Sequence, residues 1–363
     1  MKASVIGVGT ELTTGQIANK NATWISQQLK ALGFITSTHL TVPDERTLIL
    51  KALDFCSQES EIIFVTGGLG PTSDDFTREL IAQWNDKKLI FDNESWTSVQ
   101  QILNSRGVTV KDMQKQQCYF PEGAKILKNS KGTADGFYLF SKEKHFFILP
   151  GPPKEIAAIW EVGIQPWLLE QQKNLDIYIT KSWDIMGKPE SDIAQVTEEV
   201  LAGSPLEIGY RVHLPYVEVK VSYFKSEQKQ VQPWLEKLDA ALSPLTILKD
   251  GEDIVQKFAE ALLPYTDISF SDQVSGHWLL ARLLTQGKAV FGHKRYSFNG
   301  TASAQAHFVL KKTADNQFSA EIQLGGATLN QNFSTPFKSP DAEERRVQYS
   351  VEVALIFWLK VLR

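Results

Sequence analysis

The sequence predicts an α/β protein: a mostly parallel sheet covered by helices, then a small α+β unit, then a third α/β unit. Three observations predict it. Apolar runs at residues 3–9, 35–42 and 62–65 alternate with amphipathic stretches at 21–32 and 48–55, the rhythm of a parallel sheet with crossover helices. The stretch 61–81, EIIFVTGGLGPTSDDFTRELI, passes from a buried strand through a glycine-rich loop into helical spacing. The texture of the chain changes near residue 174 and again near 251, and 363 residues are enough for two or three domains. The expected domains are 1–170, 171–250 and 251–363.

Each element has a local reason. The opening run, Ala3 to Gly9, is a buried strand leading into Thr10 and Glu11. Trp24, Ile25, Leu29 and Leu32 recur at helical spacing, and Gly33 closes that helix. Residues 35–42 alternate as a second strand, after which Pro43, Asp44 and Glu45 open a helix carrying Leu48, Leu50, Leu53 and Phe55. Ile62 to Val65 is the third strand, and residues 146–149 are another. In the middle unit, 177–186 and 217–224 read as strands, 190–201 and 234–242 as helices. In the last unit, 253–263 and 276–284 read as helices, and 267–270, 308–310 and 318–324 as strands. Residues 340–362 form a closing helix too apolar to stay solvated.

Composition narrows the function classes. The net charge of −4 is small and no basic stripe stands out, which argues against a nucleic-acid footprint. Cys56 and Cys118 match no metal spacing and read as buried free thiols. No apolar run reaches membrane-spanning length, and the N-terminus reads as a strand rather than a signal peptide. The expected location is the cytoplasm, away from the membrane.

Ligands of parallel sheets bind beyond the carboxyl ends of the strands. Three acid-bearing loops converge there: Gly9-Thr10-Glu11, Pro43-Asp44-Glu45 and the loop from Thr66 to Asp75. Glycines let a backbone approach a ligand and turn its N–H groups toward an anion. Asp74 and Asp75, beside a helix N-terminus, suit a divalent cation that offsets phosphate charge. The plainer alternative is that Gly67, Gly68 and Gly70 only make a turn and that Asp74 or Asp75 caps the helix. No Gly-Lys-Ser/Thr follows the glycines, so the loop is not a Walker loop.

The string TGGLGPTSDD resembles the TGGLGPTxDD signature of the CinA family. The N-terminal domain of that family is related to the molybdopterin-binding domains of molybdenum cofactor synthesis. Gly9-Thr10-Glu11-Leu12, Gly15-Gln16-Ile17, Asn21, Lys115-Gln116, Pro121 to Ala124, Asn129, Gly132 to Phe137 and Phe146 to Glu155 extend the resemblance to about Trp167. Asp135 stands where the family usually has proline. The resemblance implies a three-layer molybdopterin-binding-like domain that hydrolyses the diphosphate of ADP-ribose to AMP and ribose 5-phosphate. It implies a divalent metal (Mg, Mn or Co) and a homodimer. Asp44 and Asp75 match the aspartates of the related proteins and are the catalytic candidates, with Asp74 beside them as metal ligands. Glu11 is a further acid. Gly67, Gly68, Leu69 and Gly70 would hold phosphate oxygens by their backbone. Gly9, Thr10, Asn21, Thr66, Thr72, Gly132 and Thr133 complete the expected substrate site, and Lys115 would steady developing charge. The same fold and aspartates would also serve a pterin nucleotide, or a nucleotide-binding scaffold without catalysis.

The third unit resembles the nicotinamide mononucleotide deamidase domain of related proteins, marked by Ala-Glu-Ser-Cys-Thr-Gly-Gly. Here Gln273 falls on the nucleophilic serine and His277 on a glycine. Ser271 and Ser275 are the nearby hydroxyls, with His293 and Lys294 as possible bases. The expectation is a folded domain without deamidase activity.

Overall fold

The computed structural model describes residues 1–173, 176–286, 295–298 and 304–363. The chain divides into two units, Met1–Tyr178 with Phe224–Ser226, and Ile179–Tyr223 with Glu227–Arg363.

The first unit runs β1 (Lys2–Val8), α1 (Thr10–Thr13), α2 (Lys20–Ala31), β2 (Ile35–Val42), α3 (Arg46–Glu59), β3 (Ile62–Thr66), α4 (Thr77–Trp84) and β4 (Leu89–Phe91). It continues with α5 (Asn93–Ser105), β5 (Tyr119–Pro121), β6 (Lys125–Leu127), β7 (Gly136–Ser141), β8 (Lys144–Leu149), α6 (Pro153–Ile159) and α7 (Gln165–Gln172). Successive side chains of a strand face opposite sides of the sheet. Ala3, Val5, Ile62 and Phe64 accordingly join one buried cluster, with Ile25 and Leu29 of α2 and Ile156 of α6. Ile6, Val8, Ile63 and Val65 join another, with Ile49 and Leu53 of α3 and Leu80 of α4. Both faces of the sheet are therefore covered, which is why these strands read as unbroken apolar runs. The result is the expected three-layer α/β architecture. The sheet order is β2-β1-β3-β8-β7-β6. The first four strands are parallel, and β7 and β6 are added antiparallel. The carboxyl ends of four parallel strands thus point the same way.

The second unit runs β9 (Tyr178–Met186), α8 (Glu190–Val200), β10 (Glu207–His213), β11 (Tyr216–Phe224), α9 (Gln228–Leu242), β12 (Thr246–Lys249) and α10 (Ile254–Ala261). Then come β13 (Asp267–Asp272), α11 (Trp278–Gln286), β14 (Arg295–Phe298), β15 (Ala306–Ala314), β16 (Gln317–Leu324), β17 (Ala327–Ser334) and α12 (Glu343–Leu362). It holds two sheets, β10-β11-β9-β12 and β14-β13-β15-β16-β17. Val219 and Val221 of the smaller sheet pack with Ile193, Leu235 and Leu238 of α8 and α9. In the larger sheet, Phe270 and Phe308 stack at 5.1 Å, and Trp358 of the closing helix meets Phe308 edge-on at 5.3 Å. Tyr216 Oη donates to the buried carboxylate of Glu352 at 2.8 Å, joining β11 to α12. Among the described residues, no helix is long and apolar enough to cross a membrane. His293 and Lys294 lie outside the described residues.

The turn between β13 and α11 carries the third unit's candidate hydroxyls. Ser275 Oγ donates to Asp272 Oδ2 and accepts from Leu279 N at 2.9 Å, while Asp272 Oδ1 accepts from Val274 N and Ser275 N at 3.0 and 2.8 Å. Ser275 therefore fastens the start of α11 from a buried position. His277 has a φ of 79°, a left-handed conformation that suits the glycine it replaces in the resembling family. Its side chain is exposed, so the backbone strain has no evident packing return. Replacing it should relieve that strain. His277→Gly is expected to raise stability by up to about 1 kcal/mol, read as a higher midpoint in denaturant unfolding. A lower midpoint would show that the imidazole makes a stabilising contact.

Candidate functional site

The loops after the four parallel strand ends are stitched together before any side chain acts. Gly9 N donates to Val42 O and Gly67 N to Leu149 O, each at 3.0 Å. Gly67 and Gly68 have φ of 101° and 66°. A Cβ on Gly67 would lie 2.2 Å from Val8 O, and one on Gly68 2.1 Å from Thr77 Oγ1. Only glycine passes at both places. The loops enclose a cleft of about 360 Å³, lined by Gly9, Gly67 to Gly70, Thr133, Ala134 and the Pro150-Gly151-Pro152 turn.

Five carboxylates line this cleft: Glu11, Asp44, Asp74, Asp75 and Glu155. No lysine, arginine or histidine joins them among the described residues. Asp44 Oδ2 accepts from Thr10 N at 2.8 Å and Thr10 Oγ1 at 3.0 Å. Asp75 Oδ2 accepts from Thr72 N at 2.9 Å and from Thr72 Oγ1. Each aspartate is thus oriented through one oxygen. Asp75 is no helix cap, since α4 has no side-chain cap at its N-terminus. Gln116 Nε2 holds the same turn from outside, donating to Asp75 O at 2.6 Å and Thr72 O at 3.1 Å.

The other expected residues divide. Glu11 and Gly67 also line a neighbouring cleft of about 680 Å³ that includes Asn21, Thr66, Leu12, Ile17 and Pro153. Asn21 Nδ2 donates to Gly151 O at 2.7 Å, tying α2 to the turn after β8. Thr133 lines the acidic cleft, but Thr10 and Thr72 serve the aspartates instead. Lys115 requires correction. It does not line the cleft, and it pairs with Asp112 at 2.8 Å on the same 3₁₀ turn. Its half-exposed ammonium is committed to a local ion pair that holds its pKa up.

Sequence reasoning passed over Arg78, Asn129 and Glu155. Arg78 is buried, yet it donates from Nη1 to Leu69 O at 2.8 Å and from Nη2 to Asp135 O at 3.2 Å. It thereby ties the glycine-rich loop to residues 129–135. Burial pulls its pKa down to about 10, partly offset by the Cys118 thiol and the Asp135 and Asp75 carboxylates. The guanidinium stays charged at neutral pH, behind the cleft. Asp135, the departure from the family's proline, does not line the cleft. It accepts from Ser95 Oγ at 2.9 Å and Asn129 N at 2.8 Å, and lies 3.4 Å from Lys128 Nζ. The substitution exchanges a rigid residue for a buried polar brace. Away from this site, Asp184, His213 and Glu218 of the second unit bring ligand atoms within 4.8 Å of one another. Arg211 and Lys220 already neutralise Glu218, so a cation has little to gain there.

Removing the Arg78 guanidinium would orphan two buried carbonyls, each worth about 1–3 kcal/mol. Arg78→Met is expected to lower stability by about 3 kcal/mol, and Arg78→Lys by less, since an ammonium reaches one carbonyl. Denaturant unfolding checks this. Equal stability of the Met variant would show that the two loops hold without the bridge.

Comparison with known proteins fits this geometry. Residues 4–170 match the family described as a probable molybdopterin binding domain. A competence-damage inducible protein of Caldicellulosiruptor saccharolyticus is 35% identical over 246 residues, 68% of this chain and 59% of its own length. One from Clostridium novyi is 28% identical over 345 residues, 91% of this chain and 82% of its own. The chain spans about half the length of several curated relatives it matches. The solved structure of the protein CinA from Thermoplasma acidophilum, of unknown function, is 28% identical, with 47% of this chain and 99% of that one covered at a TM-score of 0.43. Residues 4–170 are therefore a molybdopterin-binding-type domain, and the chain as a whole is similar to CinA-like, competence-damage inducible proteins.

Proposed function

We propose that the first unit is a metal-dependent hydrolase that cuts the diphosphate of ADP-ribose to AMP and ribose 5-phosphate. One observation carries this reading. The cleft joins a backbone-lined, glycine-rich loop to five carboxylates without a cationic side chain. A diphosphate repels such a surface unless cations come with it. The donor set has the chemistry that hard divalent ions such as Mg, Mn or Co prefer, because it offers carboxylate oxygens and neither thiolate nor imidazole, but Asp44, Asp74 and Asp75 do not bring three ligand atoms within 4.8 Å of one another. Asp44, Asp74 and Asp75 would hold the ion. When bound, such an ion neutralises phosphate charge and lowers the pKa of a coordinated water. The chain supplies the rest. Thr10 and Thr72 fix the two flanking aspartates. Gly67 N is taken by Leu149 O, which leaves the N–H groups of Gly68, Leu69 and Gly70 for phosphate oxygens. The larger, more apolar cleft alongside suits the remainder of a two-part nucleotide.

A second reading keeps the same residues but makes the ligand a pterin nucleotide. The match of residues 4–170 to a molybdopterin-binding family favours it. Purified protein, ADP-ribose and a divalent ion separate the two. Appearance of AMP supports hydrolysis; pterin-nucleotide binding without AMP supports the alternative. Asp75→Asn and Asp44→Asn are expected to keep the fold and lose about 10²–10³-fold in turnover. EDTA should abolish turnover and added metal restore it. Parent-like rates in both variants, or indifference to chelation, would remove the assignment.

We further propose that the second unit does not deamidate nicotinamide mononucleotide. A carboxamide nitrogen has a delocalised lone pair, so Gln273 cannot replace a serine nucleophile. The nearest buried hydroxyl, Ser275, is engaged as donor and acceptor. No ammonia above a no-enzyme control is expected. Release that is lost in Ser275→Ala would show that Ser275 is the nucleophile.

A further inference from the structure

Glu155 is the cleft carboxylate that belongs to none of the three acid-bearing loops. It stands in the first turn of α6, after β8. The loop facing it is built around its carboxylate. Asn129 Nδ2 donates to Glu155 Oε2 at 2.6 Å and to Ala134 O at 2.9 Å, while Asn129 Oδ1 accepts from Lys131 N and Gly132 N at 2.9 and 3.0 Å. Gly132 leaves the space that the carboxylate fills: a Cβ there would lie 2.3 Å from Oε1 and 2.4 Å from Oε2. One oxygen is therefore fixed by an amide donor. The other, Oε1, accepts no hydrogen bond from a described residue, in a group that lines the cleft.

The charged groups around it are few. Arg106, at the end of α5, donates to Lys131 O at 3.2 Å and is the cation whose field reaches Glu155. Lys154 is its neighbour on α6, and Glu11 and Asp44 line the same cleft. Burial lifts the Glu155 carboxyl above the ordinary glutamate range, with Asn129 and Arg106 pulling against it. A carboxylate beside a cation is held ionised and is a weak base, which disfavours Asp44, Asp74 and Asp75 for proton transfer. A half-buried carboxylate without a cation ligand role is the stronger base.

We propose that Glu155 Oε1 accepts the proton of the water that attacks the diphosphate, an inference that rests on the ADP-ribose reading. The water oxygen forms a bond to phosphorus as the bond from that phosphorus to the bridging oxygen breaks. The bridging oxygen leaves with the electron pair on the departing phosphate, and the water's proton passes to Glu155. Asn129 is the positioning residue that aims the carboxylate.

The test uses the full chain, ADP-ribose and a divalent ion, with AMP release and calorimetric ADP-ribose affinity measured separately. Glu155→Gln keeps an oxygen for Asn129 and removes the base. Its kcat should fall about 10²–10⁴-fold, with affinity within a few-fold of the parent. The parent's kcat/KM should fall as pH drops through the Glu155 carboxyl, and that acid limb should vanish in Glu155→Gln. Formate should restore part of the activity of Glu155→Ala, which a purely structural role would not allow. Parent-like kcat in Glu155→Gln overturns the proposal while leaving ADP-ribose hydrolysis standing. Equal loss of affinity and turnover, with no formate response, makes Glu155 a structural tie and also overturns it. A parent that releases no AMP overturns the ADP-ribose reading and this inference with it.

Discussion

The site depends on the close passage of the glycine-rich loop over the end of β1. The loop crosses Val8 O at a distance that leaves no room for a Cβ on Gly67, and it meets Thr77 at Gly68 just as tightly. That approach brings the loops after β1 and β3 into one cleft. It also leaves backbone as much as side chain lining the cleft. Once the backbone is this close, the remaining work falls to residues that keep the loops from drifting apart. Arg78 does so from behind, Asn21 from the side and Gln116 from outside.

The same geometry explains why so many acids tolerate one another. Thr10 and Thr72 each give two hydrogen bonds to one carboxylate oxygen, which orients the group without adding a cation. The buried guanidinium supplies positive potential through the loop, and its weak screening in the interior extends its reach. The cleft is left electronegative at its surface and braced by one positive group beneath. Among the described residues the cleft offers no fixed cation, in contrast to phosphate sites that carry their own lysine.

Much of this was legible in the sequence, for physical reasons. Ile62 to Val65 and Ala3 to Val8 were readable because both faces are buried, so apolar residues dominate them and Ser4 is the one polar residue in the two runs. Asp44 and Asp75 were placed at the cleft because acids in the loops that follow parallel strands sit at the binding edge. Glu155 was not singled out, although it also follows a parallel strand. β8 is preceded in sequence by β7, its antiparallel partner, and the hairpin hides its parallel pairing with β3. Arg78 was hidden because its partners are backbone carbonyls 9 and 57 residues away, which leave no motif. Lys115 was misplaced for the opposite reason: its partner Asp112 is local, and a local ion pair captures a flexible lysine before a cleft does. β17 lacked any signal, since all but one of its residues are exposed and no alternation survives.

In the second unit, the strand–turn–helix path from β13 to α11 uses a hydroxyl for structure. Ser275 closes the turn through Asp272 and fastens α11 through Leu279. His277 keeps the left-handed backbone of a glycine although its side chain makes that conformation costly. The turn is held by what surrounds it: Ile268, Phe270, Leu279 and Leu283 are buried in one cluster with Phe258 and Trp358. Packing of that extent is insensitive to one strained residue. The residue types of this turn are therefore compatible with an intact core.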